Sequence, residues 1–538
     1  MRTYDNPVIP GFHPDPSVCR VGEDYYLVCS SFEYFPGIPL FHSRDLVHWR
    51  QIGNVLDRPG QLRLPDGLPA SAGVYAPTIR YHDGRFHVIT TGVGALGNFL
   101  VTAERPEGPW SDPVPVDLPG IDPDLAWDED GSCWCAVAGV RVARIDPVTG
   151  KVLEGPLPVW SGTGMQHPEA PHLYRVGEWW YLMLAEGGTA HGHSVSIARA
   201  RSPRGPYEPA PRNPVLSHRG TDLPIQCTGH ADLVRAVDGT WWMVLLGTRP
   251  RGWFPEFHVL GRETFLTPVD WVDGWPRVGP VAPRHRAPAA WHPWPAEPER
   301  DDFDGPALAP CWISPRGRPD GSWSLTRRPG RLTLTATGDS LDRPGHTFVG
   351  RRQQHPDCRV AVRVDPGAGR AGLSVRIDEA HHYDLEAGGK VVGVVARIGP
   401  VRQRVAEHPV PPGPLTLVVH IRTTDVPPPT VTSPGAGGEA TGVRAAGPDV
   451  IAFSVEDIED IEGVEGIEGV EGVEGIEGDR VPDGPLPLAE LDGRYLSTQV
   501  AAGFTGRVIG MYVTDGSAEF DWFDYRPGAV GDAGGHEA

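Results

Sequence analysis

Asp15-Pro-Ser-Val-Cys-Arg-Val-Gly-Glu-Asp-Tyr-Tyr-Leu-Val is the stretch on which the reading of this chain turns, because its plan returns four times. The further copies are Ala76-Pro-Thr-Ile-Arg-Tyr-His-Asp-Gly-Arg-Phe-His-Val, Asp122-Pro-Asp-Leu-Ala-Trp-Asp-Glu-Asp-Gly-Ser-Cys-Trp-Cys, Ala170-Pro-His-Leu-Tyr-Arg-Val-Gly-Glu-Trp-Trp-Tyr-Leu and His230-Ala-Asp-Leu-Val-Arg-Ala-Val-Asp-Gly-Thr-Trp-Trp-Met-Val. Each opens on a small or polar residue, often beside Pro. An apolar residue follows, then a short Gly-containing turn and an aromatic-rich apolar run. The copies begin 61, 46, 48 and 60 residues apart. Each reads as a β-hairpin joined at its Gly turn. Hairpin-bearing units of about 40–50 residues are the pattern of propeller blades. The expectation is an all-β chain with a five-bladed β-propeller over residues 1–285. A β-sandwich with coincidental hairpins is the alternative that five matched copies disfavour.

Residues 286–300 are Pro-rich and read as a linker. Beyond them, alternating stretches such as Arg331-Leu-Thr-Leu-Thr-Ala, Arg359-Val-Ala-Val-Arg-Val and Leu415-Thr-Leu-Val-Val-His-Ile predict antiparallel strands with one wet face. They place a β-sandwich (jelly-roll) domain over 301–527. Within it, residues 424–450 are rich in Pro, Gly, Thr and Ala, and Ile461-Glu-Gly-Val-Glu-Gly opens a run with Gly at every third position. A period of three fits neither helix nor strand, and the run lacks the Pro of collagen. A disordered acidic insertion over about 424–480 and a disordered tail over 528–538 are expected.

The remaining composition bounds the class. The 68 Gly, 59 Pro and 17 Trp in 538 residues favour short strands and turns over long helices. The net charge of −21 disfavours a nucleic-acid partner, although eleven of the acidic residues lie in Glu456–Asp479 alone. Seven scattered cysteines form no CxxC pair or disulfide framework, which suggests a reducing compartment. The N-terminus has no apolar signal core, and no run of about 18 apolar residues exists, so no membrane association is expected. The expected location is the cytoplasm.

In a propeller the innermost strand of each blade lines the axis. The repeat openings Asp15, Ala76, Asp122, Ala170 and His230 should therefore converge at one end of it, with Glu169 one residue before the fourth. Three carboxyls in one funnel suit glycosidic cleavage. A protonated acid serves the leaving oxygen, and an ionised carboxylate activates water on the opposite face. A third carboxyl can raise the acid's pKa. Aromatic side chains stack on sugar faces, and Phe32, Tyr34, Phe35, Tyr75 and Trp127 lie near the repeats. Read singly, each residue has a plainer explanation: Asp15 and Asp122 as turn caps before Pro, Glu169 as a loop residue, His230 as a core histidine, Arg262 as a surface charge. The shared repeat position is what lifts Asp15, Asp122, Glu169 and His230 together. His191-Gly-His and His381-His-Tyr lack a completing zinc set. There is no P-loop, dinucleotide fingerprint or Gly-x-Ser-x-Gly elbow.

Asn6-Pro-Val-Ile-Pro-Gly-Phe-His-Pro-Asp-Pro-Ser, Ser31-Phe-Glu-Tyr-Phe-Pro-Gly, His42-Ser-Arg-Asp-Leu-Val-His-Trp, Glu169-Ala-Pro-His-Leu-Tyr, Ala185-Glu-Gly-Gly-Thr and Leu260-Gly-Arg-Glu-Thr resemble glycoside hydrolase family 43, in particular its β-xylosidase / α-L-arabinofuranosidase branch. Asp301-Asp-Phe-Asp and Gly503-Phe-Thr-Gly resemble that branch's concanavalin-like C-terminal domain. The resemblance implies an inverting, exo-acting hydrolase that needs no cofactor and acts on small xylo- or arabinose-substituted oligosaccharides. It implies Asp15 as general base, Glu169 as general acid and Asp122 as the residue that tunes and orients the acid. Arg262 would bind sugar hydroxyls, Phe32 and Tyr75 would wall the pocket, and Phe504 would close it from the second domain. His230 would stand near the centre of the channel, where some relatives hold calcium or another ion. Homo-oligomers are frequent among such enzymes. The chain departs from the branch in having Tyr75 for Trp, Ala170 for Gly, and Asp124 where Ser or Ala is common. A binding protein built on the same two domains without catalysis is the alternative. A retaining fructosidase would need Arg-Asp-Pro and Glu-Cys motifs that are absent.

Overall fold

A computed structural model describes residues 2–424, 447–457 and 484–528. Five four-stranded antiparallel sheets follow one another along the chain, each built from contiguous sequence. Their inner strands are Ser17–Val21, Gly73–His82, Asp124–Trp127, Glu169–Val176 and Gln226–Arg235. Each pairs with the strand that the repeat predicts as its hairpin partner. The turn between His82 and Arg85 shows why the Asp-Gly signal works. Asp83 and Gly84 both take positive φ, 48° and 75°, and that twist matches the flanking strands. The ring is clasped outside the blades, where Thr3–Asp5 pairs with Arg284–Arg286. Apolar clusters between neighbouring blades form the core, for example Ile89, Leu100, Leu125, Cys133, Cys135 and Val137.

The segment expected to be a linker lies along the first blade. Trp291 meets His48 edge-on at 4.4 Å, Trp294 packs on His42, and the His292 N–H donates to Asp45. Two sheets then form the sandwich. One runs Thr347–Arg352, Val508–Asp515, Arg370–Asp378, His381–Gly388, Val391–Ile398, Val401–Pro409. The other centres on Ser517–Pro527, Cys358–Asp365 and Leu415–Thr423. Their inner faces bury one apolar core.

The insertion expected over about 424–480 needs correcting. Asp449–Glu456 is a strand, paired on one side with Leu415–Thr423 and on the other with Leu486–Asp492. Asp449, Ile451, Phe453 and Val455 are buried in strict alternation, a period of two that the Gly- and Pro-rich surroundings obscured. Residues 425–446 and 458–480 of that insertion, and 529–538 of the tail, lie outside the described residues.

Candidate active site

Four of the five repeat openings share a backbone feature. Asp15, Asp122, Ala170 and His230 take φ of 57°, 53°, 49° and 46°. A non-Gly residue in this left-handed region costs on the order of 1 kcal/mol. The strain recurs where the chain enters the inner strands, and β-bulges follow in the fourth and fifth blades.

Asp15 is buried and fully engaged. The Ser30 hydroxyl donates to its Oδ2 at 2.5 Å. Arg262 Nη1 and His230 Nδ1 stand 3.4 and 3.2 Å from its Oδ1. Burial pushes the Asp15 carboxyl up, but Arg262, His230 and Ser30 outweigh it and hold the group below its ordinary range. Burial drives His230 itself down to about 4. Near neutral pH, therefore, the guanidinium of Arg262 is the cation that Asp15 meets.

The other two carboxyls behave oppositely. Burial, then the charges of Glu169 and Asp15, push Asp122 well above the usual carboxylate range, and the Ala170 N–H, which donates to its Oδ2 at 3.1 Å, offsets this only in part. Burial and Asp15 raise Glu169 as well. Two raised carboxyls retain protons beyond the pH at which isolated ones lose theirs. The expected influence of Asp122 on Glu169 runs the other way: the charge of Glu169 raises Asp122, while Glu169 owes its own shift to burial and Asp15.

The aromatic wall comes from both domains. Phe32 stacks on Phe504 at 6.0 Å, and Tyr75 meets both edge-on, at 5.5 Å and 6.0 Å. The Arg262 guanidinium lies 5.2 Å from the Phe504 ring and 5.8 Å from that of Phe32. Gly503 explains how Phe504 arrives. Its φ is 86°, and a Cβ there would sit 2.4 Å from Ser71 Oγ. That close approach lets the Phe504 N–H donate to Ser71 Oγ at 2.9 Å. A side cavity of about 140 Å³, lined by Thr189, His191, His258, Arg262, Gln499 and Phe504, opens beside this wall.

All eight residues singled out in the sequence thus gather at one end of the axis. Sequence reasoning missed Ser30, which bonds Asp15, and Thr189, whose Oγ1 takes Arg262 Nη1 at 2.9 Å. Ser30 precedes one quoted motif and Thr189 ends another, but neither carries a spacing signal of its own. Asp124 is not a fourth acid at the mouth. It is fully buried one layer deeper, paired with Arg80 at 2.7 Å. An ion near His230 does not fit. Ca²⁺ takes about six to eight oxygen ligands, whereas this level offers His230 and His193, both driven to about 4 by burial, and a carboxylate already facing a guanidinium. Among the described residues no group of three or more His, Cys, Asp or Glu is arranged to hold a metal ion.

Known proteins are similar to this chain over both domains. Residues 4–276 match the model of glycosyl hydrolases family 43, and residues 300–427 and 484–526 match that of the beta xylosidase C-terminal concanavalin A-like domain. The chain is 39% identical to the non-reducing end alpha-L-arabinofuranosidase BoGH43B of Bacteroides ovatus, over 98% of this chain and 95% of that protein. It is 37% identical to a xylan 1,3-beta-xylosidase of Vibrio sp, over 74% of this chain and 83% of that protein. The solved structure of Bacteroides ovatus xyloglucan PUL GH43B superposes with a TM-score of 0.84 at 38% identity, covering 98% of this chain and 100% of that one. That of BlXynB from Bacillus licheniformis gives 0.84 at 31%, covering 98% and 100%. With both domains matched and the carboxyl funnel in place, the chain belongs to glycosyl hydrolase family 43 and is a glycosidase.

Proposed function

We propose that this glycosidase is exo-acting and inverting, and releases a terminal xylose or arabinose from short oligosaccharides. The observation that carries the mechanism is the opposite displacement of its carboxyls. Asp15 is held below its ordinary range by Arg262, while Asp122 and Glu169 are both pushed up. Environments that push neighbouring acids apart mark the base and the acid. Asp15 takes the proton of the attacking water, Glu169 protonates the departing oxygen, and Asp122 positions that proton. Arg262 offers hydroxyl contacts, and Phe504 shuts the pocket from the second domain, which favours chain ends over internal bonds. The relatives named as arabinofuranosidase and β-xylosidase support a pentose at the cleaved position. The seven cysteines, none of them paired, support a cytoplasmic setting with imported oligosaccharides as substrates. A non-catalytic binding role is disfavoured, because it leaves the split between the carboxyls without a use.

Initial rates on 4-nitrophenyl β-D-xylopyranoside and α-L-arabinofuranoside test the substrate class, and proton NMR of the first-formed sugar tests inversion. Asp15→Ala should lose at least 10³-fold on either glycoside. Glu169→Ala should lose more on xylobiose than on the nitrophenyl xyloside, whose leaving group needs little protonation. Retained anomeric configuration, or equal losses for Glu169→Ala on both substrates, would overturn these roles.

A further inference from the structure

One layer beneath the carboxyls, the propeller axis holds a second cluster to which every blade contributes. Ser17, Asp124, His172 and Asp232 each lie two residues beyond a repeat opening, on the first, third, fourth and fifth inner strands. The second blade supplies Arg80, whose guanidinium reaches all four. Its Nη1 donates to Asp232 Oδ2 at 2.8 Å and to Ser17 Oγ at 3.1 Å, and its Nη2 donates to Asp124 Oδ1 at 2.7 Å and lies 3.0 Å from His172 Nδ1. The remaining acceptor capacity of the carboxylates is filled by neutral donors. The Leu173 N–H bonds Asp124 Oδ2 at 2.7 Å, the Tyr174 hydroxyl bonds Asp232 Oδ1 at 2.7 Å, and Ser17 Oγ bonds Asp232 Oδ2 at 2.8 Å. Both Asp side chains are fully buried, while 15% of the Arg80 side chain remains exposed.

Two carboxylates brought together on an axis repel unless a cation stands between them. In this cluster the cation is covalently part of the chain. We propose that the Arg80 guanidinium is the axial cation of this propeller, holding the five inner strands in register and so positioning the carboxyl layer above, in place of a bound metal ion. The planar fork suits the task, since it reaches two carboxylates and a hydroxyl at once, which an ammonium of similar charge does not. Arg80 does not touch the reacting atoms and acts through its neighbours. Asp232 is joined to His230, and Asp124 to Asp122, through one intervening residue. Burial pushes Asp232 up, but Arg80 and its hydrogen-bond donors hold it far below its ordinary range, in keeping with a permanently ionised partner.

The activity readout of the test rests on the proposed glycosidase function; metal content and melting temperature do not. Wild-type protein dialysed against a chelator and shown by elemental analysis to carry less than one tenth of a divalent ion per chain should keep its kcat and melting temperature, and added Ca²⁺ should change neither. Arg80→Ala should lower kcat on the order of 100-fold and melt on the order of 10 °C lower. Millimolar guanidinium or methylguanidinium should restore part of both, and ammonium at equal ionic strength should not. Arg80→Lys should fall between the two proteins. The proposal fails if chelation inactivates or destabilises the wild type and Ca²⁺ reverses it. It also fails if Arg80→Ala matches the wild type, or if ammonium rescues as well as guanidinium. Should Arg80→Ala not fold, the chelation experiment and Arg80→Lys still decide.

Discussion

Asp122 receives the N–H of Ala170 while lying against the charge of Glu169, so a change confined to its carboxyl should be readable in the pH–rate profile. Asp122→Asn removes the carboxyl that the charge of Glu169 helps to push furthest up. With the more strongly raised group gone, Glu169 alone sets the alkaline limb, which should move towards acid while kcat falls roughly 10- to 100-fold. An unmoved limb would show that the two carboxyls are not coupled. Glu33 offers a stability counterpart. Burial pushes it from 4.5 up to about 7, its Oε2 accepts the Ser71 N–H at 2.9 Å, and its Oε1 is buried without a partner. The folded protein keeps this proton where the unfolded chain releases it. Stability should therefore fall as pH rises from about 4.5 to about 7 and then level off. Glu33→Gln should abolish that part of the decline in melting temperature. If both proteins show the same slope, Glu33 is not protonated in the fold. Ala170 shows what sequence makes legible at this scale. The branch's usual Gly at that place has a physical reason, the left-handed φ of 49°, but the angle itself could not be read from the residue.

Along each inner strand the copies repeat a chemical order. The residue two beyond the opening is Ser17, Thr78, Asp124, His172 or Asp232, and the next is Val18, Ile79, Leu125, Leu173 or Leu233, all ten of them buried. Polar groups at the first of these places face the axis cluster and apolar groups at the second face the core, as strand alternation dictates. The repeat made the rim legible because its openings carry unusual residue types. The deeper polar ring was present in the same five lines, but Arg80 stands four beyond its opening and carries no positional match. The strand Asp449–Glu456 was hidden by its neighbours' composition, yet its first residue has a defined task. Arg507, fully buried, forms a two-pronged pair with Asp449 at 2.6 and 2.9 Å and also donates to the carbonyls of Leu496 and Gly493. It thereby ties that strand to the turn that leads to Phe504. Arg507→Met leaves the Asp449 carboxylate buried and unpaired, and should cost about 3–5 kcal/mol in denaturant unfolding. A cost below about 1 kcal/mol would mean that the pair contributes little beyond what packing replaces.

At the scale of the molecule, the two domains share one apolar cluster. Phe12, Phe32 and Tyr34 of the propeller pack with Ile313, Phe348, Val508 and Tyr512 of the sandwich. The short strand Tyr34–Phe35 pairs with Ser314–Pro315 across the same seam. Polar bonds reinforce it: Arg316 Nε donates to the Leu68 carbonyl at 2.6 Å, and the Arg376 guanidinium lies 3.4 Å from the Tyr34 hydroxyl. The carboxyls proposed to be catalytic all come from the propeller, and the sequence resemblance ties the second domain to the site only through Phe504. The seam adds a further link, because Phe32 belongs both to the sugar pocket and to this interface. A chain ended at residue 298 would expose these rings and lose Phe504 together. It should aggregate, or retain below about 1% of the wild-type kcat/KM. Phe504→Ala separates the two causes. It keeps the buried rings of the seam and removes only a partly buried ring packed at its edge, so it should melt within about 2 °C of the wild type while KM rises several-fold and kcat changes little, the signature of lost ground-state binding. If the truncated chain is monodisperse and fully active, the sandwich is dispensable to the site. If Phe504→Ala instead lowers kcat and leaves KM unchanged, the ring acts in the transition state and not as a wall.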